Sequence, residues 1–201
     1  MRRGITLYFV RHGQTGWNAA RRIQGQIDSD LNEIGRGQAA RNGLTLKSLG
    51  LDLASLDFVA SPLKRTSETM EIIREKAGLE RSGYRTDERL KEIHFGSWQG
   101  HYWPEVPVVD PEGHRLRTAD PFNWRPEGGE SYADLARRCA EWFDALEHDT
   151  VCASHGGVSR VLRGHVGDHA PAEITELPVP QDRILVFRHG AGGIMAEWIG
   201  G

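Results

Sequence analysis

The chain has 201 residues, of which 38% are hydrophobic and 26% charged, and its 25 basic and 28 acidic residues give a formal net charge of -3. This composition excludes a disordered chain, and the charge balance excludes a general attraction to nucleic acid or an anionic membrane. The length suits one hydrophobic core, so residues 1–201 are expected to form a single domain.

The first half of the chain alternates between strand and helix patterns. A continuous apolar run at 5–10 predicts a central strand, which ends at Arg11-His12-Gly13. Apolar residues at helical spacing predict a helix at about 32–48, which Asp30 or Asn32 can cap. The strand, helix and short strand predicted next span 56–60, 63–77 and 83–86.

The second half begins with a long stretch at about 93–127 that is rich in Gly, Pro, His and Trp. It lacks clear periodicity, which predicts an irregular cover over a site or an insertion. Ser131 caps a predicted helix that extends to about Leu146, and a strand at 151–153 ends at Ser154-His155-Gly156. A further helix and a closing hairpin are predicted at 158–166, 183–188 and 194–199. This alternation predicts an α/β sandwich.

Targeting and cysteine patterns favour a cytoplasmic location. The apolar run near the N-terminus is too short for a signal peptide, and no stretch approaches membrane-spanning length. Cys139 and Cys152 form no Cys-x-x-Cys pair, so neither a disulfide framework nor a thiolate metal cluster is predicted. Both are expected to be small buried hydrophobic side chains.

Five polar side chains lie at or near predicted strand and loop ends, where an open α/β sheet forms its ligand crevice. They are Arg11, His12, Arg65, Glu92 and His155. Arginine forks suit the oxygens of a phosphoryl group in transfer, and a neutral His12 can attack phosphorus. His155 would be another oxygen donor if protonated. Glu92 can protonate the leaving oxygen and later deprotonate water.

The segment Leu7–Asn18, with the sequence LYFVRHGQTGWN, resembles the signature of the histidine phosphatase superfamily in its phosphoglycerate mutase-like branch. Other segments resemble this family in the same order, namely RIQG at 22–25, LNEIGRGQA at 31–39, SPLKRT at 61–66, LKEIHFGSWQG at 90–100, GGES at 128–131 and SHGG at 154–157. The resemblance implies a three-layer α/β/α sandwich with a mostly parallel six-stranded sheet.

The resemblance also implies roles for site residues. Arg11, His12, Arg65 and His155 would form the phosphate pocket, with Glu92 as the proton donor. Further residues expected to bind the phosphate or substrate are Asn18, Gln24, Gly25 and Gly156. No metal and no other cofactor is expected.

Within this family, residues that follow Glu92 and His155 distinguish phosphatases from mutases. The cofactor-dependent mutases carry an arginine and a tyrosine where this chain has Ile93 and Phe95, and an asparagine where it has Gly157. The prediction is a phosphomonoesterase that hydrolyses a small phosphorylated metabolite through a phosphohistidine on His12. A phosphoglycerate mutase and a non-catalytic phosphate-binding module stay open as alternative functions. The oligomeric state is also open, with a homodimer as one option.

Aromatic and basic residues of the cover segment keep two interpretations. The aromatic residues can line a substrate pocket or form a small core of the cover itself; they are Trp98, Tyr102, Trp103 and Trp124. Arg115 and Arg117 can bind a second anionic group of the substrate, although a solvated loop is favoured.

Two histidine patterns favour structural interpretations. His165 and His169 have the spacing of a metal-binding pair on a helix, but Gly167 and Asp168 indicate that the helix has already ended. His189 lies in a second Arg-His-Gly sequence that leads into a glycine turn, so it is predicted to be a surface turn residue.

Overall fold

A six-stranded sheet forms the centre of the protein, which the computed structural model describes over residues 1–201. Its strands are β1 (Thr6–Arg11), β2 (Asp57–Ala60), β3 (Arg85–Thr86), β4 (Thr150–Ser154), β5 (Ile184–Gly190) and β6 (Gly193–Ile199). They are ordered β3-β2-β4-β1-β5-β6, and every neighbouring pair is parallel except β1 with β5 and β5 with β6. The predicted mostly parallel six-stranded sheet is therefore confirmed.

Helices cover both faces of this sheet. They are α1 (Gly16–Ala19), α2 (Glu33–Ser48), α3 (Lys64–Ala77), α4 (Val106–Val109), α5 (Pro111–Ala119), α6 (Tyr132–Asp144), α7 (Gly156–Val166) and α8 (Pro171–Ile174). Helices α2 and α3 pack together over one face, and α6 and α7 over the other. None of these helices has the length and hydropathy needed to cross a bilayer.

Strand β1 shows why the first apolar run is continuous. Leu7 and Phe9 pack in the core beneath α6 and α7, whereas Tyr8 and Val10 pack beneath α2 and α3. Successive side chains of a strand point to opposite faces, so a strand covered by helices on both sides needs apolar residues at every position. Each of these four side chains is at most 5% exposed.

Helix boundaries follow the capping signals that the sequence carries. The Asn32 side chain accepts a hydrogen bond from the Gly35 N–H at 2.9 Å and begins α2. Ser131 and Asp134 form a reciprocal capping box at the start of α6, as predicted for Ser131. The other predicted strands and helices outside the cover segment are also confirmed, with ends that differ by at most two residues.

The prediction that the cover segment at about 93–127 is irregular is wrong in part, because it contains α4 and α5. The Asp110 side chain accepts from the Gly113 N–H at 2.8 Å, and Pro111 occupies the first turn of α5. Gly113 is the only buried residue of α5. The helix therefore lacks the apolar stripe on which recognition by periodicity depends.

The predicted surface turn at His189 is also wrong, because the residue lies within β5 and pairs with Ile194. Its ring is half-buried, and Nδ1 lies 2.8 Å from the Met1 carbonyl oxygen. The strand continues through His189 because the tight turn needs only the two residues between Gly190 and Gly193.

The cysteines and the pair His165 and His169 form no metal site. Cys139 and Cys152 are free and buried, as predicted. Helix α7 ends at Val166, and the His165 ring contacts the Asp144 carboxylate at 3.0 Å. No group of three or more His, Cys, Asp or Glu side chains is arranged to hold a metal ion.

Candidate active site

Two neighbouring strands deliver the two histidines to one edge of the sheet. Strands β1 and β4 are parallel, with Arg11 in register with Ser154, so His12 and His155 follow at the same level. Their ring centroids lie 5.2 Å apart at an interplanar angle of 62°. Both side chains are buried, at 2% and 0% exposure.

One backbone contact sets the tautomer of His12. Its Nδ1 lies 2.8 Å from the carbonyl oxygen of Gly13, which can only accept a hydrogen bond. Nδ1 therefore carries the proton, and Nε2 keeps its lone pair. The Nε–H of Arg65 donates to this Nε2 at 3.3 Å.

The environment favours neutral rings for both histidines. Burial, followed by the charges of Arg65 and Arg11, holds the pKa of His12 well below its usual value. Burial and the nearby Arg65 charge likewise lower the pKa of His155. His155 was expected to donate if protonated, but as a neutral ring it carries a single N–H. Its Nε2 lies 2.8 Å from the Ser61 hydroxyl, and its buried Nδ1 has no partner.

Two glycines bring the loop after β1 against the first turn of α2. A Cβ on Gly13 would lie 2.2 Å from the carbonyl oxygen of Gly35, and a Cβ on Gly35 would lie 2.1 Å from that of Gln14. Such distances leave no room for a side chain, so backbone packs directly on backbone. This contact helps to fix the loop that carries His12.

Backbone carbonyls, not carboxylates, hold the two arginines. Arg65 is 1% exposed on α3, and its Nη1 and Nη2 donate to Ile27 and Gly25 carbonyls at 2.9 and 2.6 Å. Arg11 donates from Nη1 to the Val179 carbonyl at 2.6 Å, and its buried Nε has no partner. Burial lowers the pKa of Arg65 to about 10, so it stays charged at neutral pH. An anion can therefore be attracted by both charges.

The remaining predicted phosphate ligands present amide groups. The Oε1 of Gln24 accepts from the Ser29 hydroxyl at 2.5 Å, and the Oδ1 of Asn18 accepts from the Thr15 N–H at 3.2 Å. Their amide nitrogens are thus left to donate to a ligand. Gly25 has a φ of 52°, in the left-handed region that favours glycine.

Glu92 lies against the first turn of α7. Its Oε1 accepts from the N–H groups of Gly157 at 3.1 Å and Ile93 at 3.0 Å. A Cβ on Gly157 would lie 2.4 Å from this Oε1, so the glycine permits the approach. Arg138 and Gln26 both donate to the Glu92 backbone carbonyl at 3.0 Å. These contacts place the carboxylate at the positive end of the helix dipole.

These groups surround an open pocket of about 670 Å³. The predicted site residues that line it are Arg11, His12, Asn18, Gln24, Gly25, Arg65, Glu92 and Gly156. His155 does not line the pocket, but its ring packs against that of His12. The structure therefore brings all the predicted residues together, with His155 behind the wall.

Three polar residues of the wall were not assigned a role from the sequence. Arg160 lies one helical turn after Gly156 on α7, but the predicted helix at 158–166 began after Gly156 and did not place the two on one face. Tyr132 directly follows the predicted cap Ser131. Arg22 was part of a matching motif. Only tertiary packing shows that the three side chains meet.

Three of the four aromatic residues of the cover lie in the pocket wall or in a small core. Trp103 lines the pocket and packs edge-on against Phe95 and Trp98, with ring centroids 5.4 and 6.3 Å away. Trp98 and Trp124 stack at 4.4 Å in a small core of the cover. Tyr102 is 40% exposed.

The two cover arginines do not line this pocket. Arg115 is exposed and pairs with Glu112 at 2.7 Å, which agrees with the solvated interpretation, but it lies in α5 and not in a loop. The Arg117 guanidinium lies over the Trp103 ring, 5.3 Å from its centroid.

Comparisons with known proteins agree with this geometry. Residues 7–199 match the family model of the histidine phosphatase superfamily (branch 1). A glucosyl-3-phosphoglycerate phosphatase of Mycobacterium tuberculosis is 36% identical over 173 residues, which cover 80% of this chain and 74% of the relative. A metal-independent phosphoserine phosphatase of Arabidopsis thaliana is 38% identical over 165 residues, covering 78% and 66%. A probable phosphoglycerate mutase of Erwinia tasmaniensis is 36% identical over 190 residues, covering 92% and 81%.

The fold is likewise similar to a solved structure. A mycobacterial glucosyl-3-phosphoglycerate phosphatase in complex with VO3 superimposes with a TM-score of 0.76 at 30% identity, covering 98% of both chains. The family match extends from β1 to β6 and includes every residue of the pocket. The chain therefore belongs to branch 1 of the histidine phosphatase superfamily.

Proposed function

We propose that the protein is a metal-independent phosphomonoesterase that hydrolyses a small phosphorylated metabolite through a phosphohistidine on His12. The observation that carries this proposal is the state of His12 itself. Its Nδ1 is bound to the Gly13 carbonyl, its pKa is lowered, and its Nε2 lone pair lies beside Arg65. A neutral imidazole held between cationic groups is suited to attack an anionic phosphoryl group.

In the first step, the His12 Nε2 lone pair forms a bond to phosphorus while the bond from phosphorus to the ester oxygen breaks. Protonated Glu92 gives its proton to the departing oxygen. Arg11 and Arg65 bind the phosphoryl oxygens, and their charges stabilise the transition state. The products of this step are the free alcohol and phosphohistidine.

In the second step, water attacks phosphorus, and the bond to Nε2 breaks, which returns the electron pair to His12. The Glu92 carboxylate accepts the proton of the attacking water and is ready for another cycle. The donors of Asn18 and Gln24 are proposed to bind phosphoryl oxygens, together with the backbone N–H groups of Gly25 and Gly156. His155, whose ring packs against that of His12 behind the wall, is proposed to support the nucleophile.

Two features favour hydrolysis over the mutase alternative. The pocket wall carries apolar Ile93 and Phe95, so this part of it offers no side-chain donor to a phosphoglycerate. Two of the reported relatives are named as phosphatases, and the third as a probable mutase. A non-catalytic module is disfavoured because all the proposed catalytic side chains are present.

The test combines two substrates after treatment with EDTA. We expect release of nitrophenolate from p-nitrophenyl phosphate and no interconversion of phosphoglycerates when 3-phosphoglycerate is supplied with its bisphosphate primer. His12→Ala should abolish turnover, whereas His148→Ala, at an exposed position, should not. Isomerisation would support the mutase alternative, and binding of phosphate without turnover would support the non-catalytic one.

Two general proposals accompany this function. Residues 1–201 are proposed to form a single domain, supported by a sheet whose strands come from both ends of the chain. Limited proteolysis should then yield no stable smaller core. A cytoplasmic location is proposed because both thiols are unpaired, and cell fractionation tests it.

A further inference from the structure

The pocket carries more positive charge than a phosphate group alone requires. Four arginines and one glutamate line it, namely Arg11, Arg22, Arg65, Arg160 and Glu92. A phosphomonoester carries about -1.5 to -2 at pH 7. About one positive charge is therefore left without a counter-charge when the phosphate is bound and Glu92 is ionised, and about two are left when Glu92 is protonated, as the proposed first step requires.

Arg160 is an arginine of this wall that retains a free arm. Its Nε donates to the Leu177 carbonyl at 2.9 Å, and its Nη1 donates to the Tyr132 hydroxyl oxygen at 3.1 Å. Nη2 has no hydrogen-bond partner in the protein, and no carboxylate forms an ion pair with this guanidinium. The side chain is thus fixed by two contacts, lines the pocket and keeps one charged donor free.

Tyr132 presents a second unused donor at the same place. The residue is 5% exposed, and its hydroxyl oxygen accepts from Arg160. Its own O–H donates to no protein group, and burial raises the pKa of Tyr132, so the hydroxyl keeps its proton at neutral pH. A buried hydroxyl without an acceptor is costly unless a ligand supplies one.

Arg22 is less suited to bind a further anion. Its guanidinium lies over the Trp17 ring at 4.1 Å and near the Tyr102 ring at 5.7 Å. Its Nε–H donates to the Gly100 carbonyl. These aromatic faces already stabilise the charge of Arg22, whereas only neutral oxygen atoms accept from Arg160.

We propose that Arg160 and Tyr132 form a subsite for a carboxylate carried by the alcohol part of the substrate, so that the preferred substrates are phosphomonoesters of hydroxy acids. One carboxylate oxygen accepts from Arg160 Nη2 and the other from the Tyr132 hydroxyl. A monoanion is balanced by this surplus whether Glu92 is ionised or protonated, whereas a second phosphate would exceed the surplus when Glu92 is ionised. This inference rests on the proposed phosphatase function.

The experiment compares phosphate release from 3-phosphoglycerate and from glycerol 3-phosphate, which carries a hydroxymethyl group in place of the carboxylate. In the wild type, kcat/KM should be about 10- to 100-fold higher for 3-phosphoglycerate, the factor expected of hydrogen bonds to a charged group. Arg160→Met should bring this ratio close to one, and Tyr132→Phe should lower it. Arg163→Met is the matched control, because Arg163 lies on the same helix but outside the pocket, and the ratio should persist.

The outcomes separate this subsite from the function on which it rests. A wild-type ratio near one, with p-nitrophenyl phosphate still hydrolysed, would overturn the subsite and leave the phosphatase proposal intact. An equal loss with both substrates in Arg160→Met would also overturn it. Failure to hydrolyse any of the three esters would overturn the phosphatase proposal and the subsite together. If Arg160→Met does not fold, Tyr132→Phe decides the matter, because an unchanged ratio in that variant contradicts the subsite.

Discussion

Acidification from pH 7.5 to 5.5 should destabilise the fold through its two neutral histidines. Burial and the nearby Arg65 charge lower the pKa of His12 and of His155 in the folded state, whereas histidines of the unfolded chain titrate at about 6.5. Below about pH 6.5, the unfolded state therefore binds more protons than the folded state. The stabilisation that comes from the two neutral rings is fully present above this pH, and it is lost as the pH falls towards the folded-state pKa values.

The size of the loss follows from the same linkage. A histidine that stays neutral in the folded state costs about 1.4 kcal/mol one pH unit below its unfolded pKa, so the pair costs about 3 kcal/mol at pH 5.5. Urea unfolding at pH 7.5 and 5.5 measures this for the wild type and for a His12→Asn/His155→Asn double variant. Carboxylates titrate in both proteins, so the difference between them isolates the two histidines.

We expect the wild type to lose about 3 kcal/mol more than the double variant over this interval. His148→Asn, which changes an exposed histidine, should behave as the wild type does. Equal losses in the wild type and the double variant would show that the two rings are not held neutral. The assignment of His12 as a ready nucleophile would then lose its electrostatic basis.

Three further predictions concern the pocket and the loop that carries His12. Vanadate should inhibit strongly and EDTA should not, and activity that requires added zinc or magnesium would contradict this. Arg65→Ala should weaken vanadate binding and turnover together, because the buried Arg65 guanidinium supplies positive charge to the pocket. Glu92→Gln should slow phosphoenzyme formation from an alkyl phosphate by about 10²- to 10⁴-fold but far less from p-nitrophenyl phosphate, since nitrophenolate hardly needs a proton. Rapid-quench kinetics with both esters measures this, and equal slowing would show that Glu92 is not the acid. Gly13→Ala should destabilise the fold by about 1–3 kcal/mol in urea unfolding, because its Cβ would lie 2.2 Å from the Gly35 carbonyl oxygen. Gly16→Ala, whose Cβ would meet nothing within 4 Å, is the control, and equal losses in the two variants would count against the contact.

The sequence predicted those parts of the fold whose signals are local. An apolar run that ends at Arg11 marks β1, and capping groups at Asn32 and Ser131 mark the starts of two helices. These signals depend on neighbours within a few residues, so they can be read along the chain. Helix α5 was missed because it packs few apolar residues, although Asp110-Pro111 carries a start signal.

The prediction that the site residues lie together in one pocket rested on the family resemblance and not on periodicity. Local patterns placed His12 and His155 at strand ends, but they could not show that β1 and β4 are neighbours. Tyr132 lies in α6 and Arg160 in α7, so no local sequence pattern predicts the hydrogen bond between them. The pKa values of the histidines likewise depend on burial and on Arg65, which only tertiary structure provides.

The central claim is that His12 itself carries the phosphoryl group during turnover. Enzyme mixed with a phosphate-labelled ester and quenched within a single turnover should contain label that is stable to base and labile to acid, as expected of a phosphohistidine. Peptide mapping should place it on His12, and His12→Ala should contain none. Label on any other residue, or turnover by the wild type without a labelled intermediate, would contradict the account.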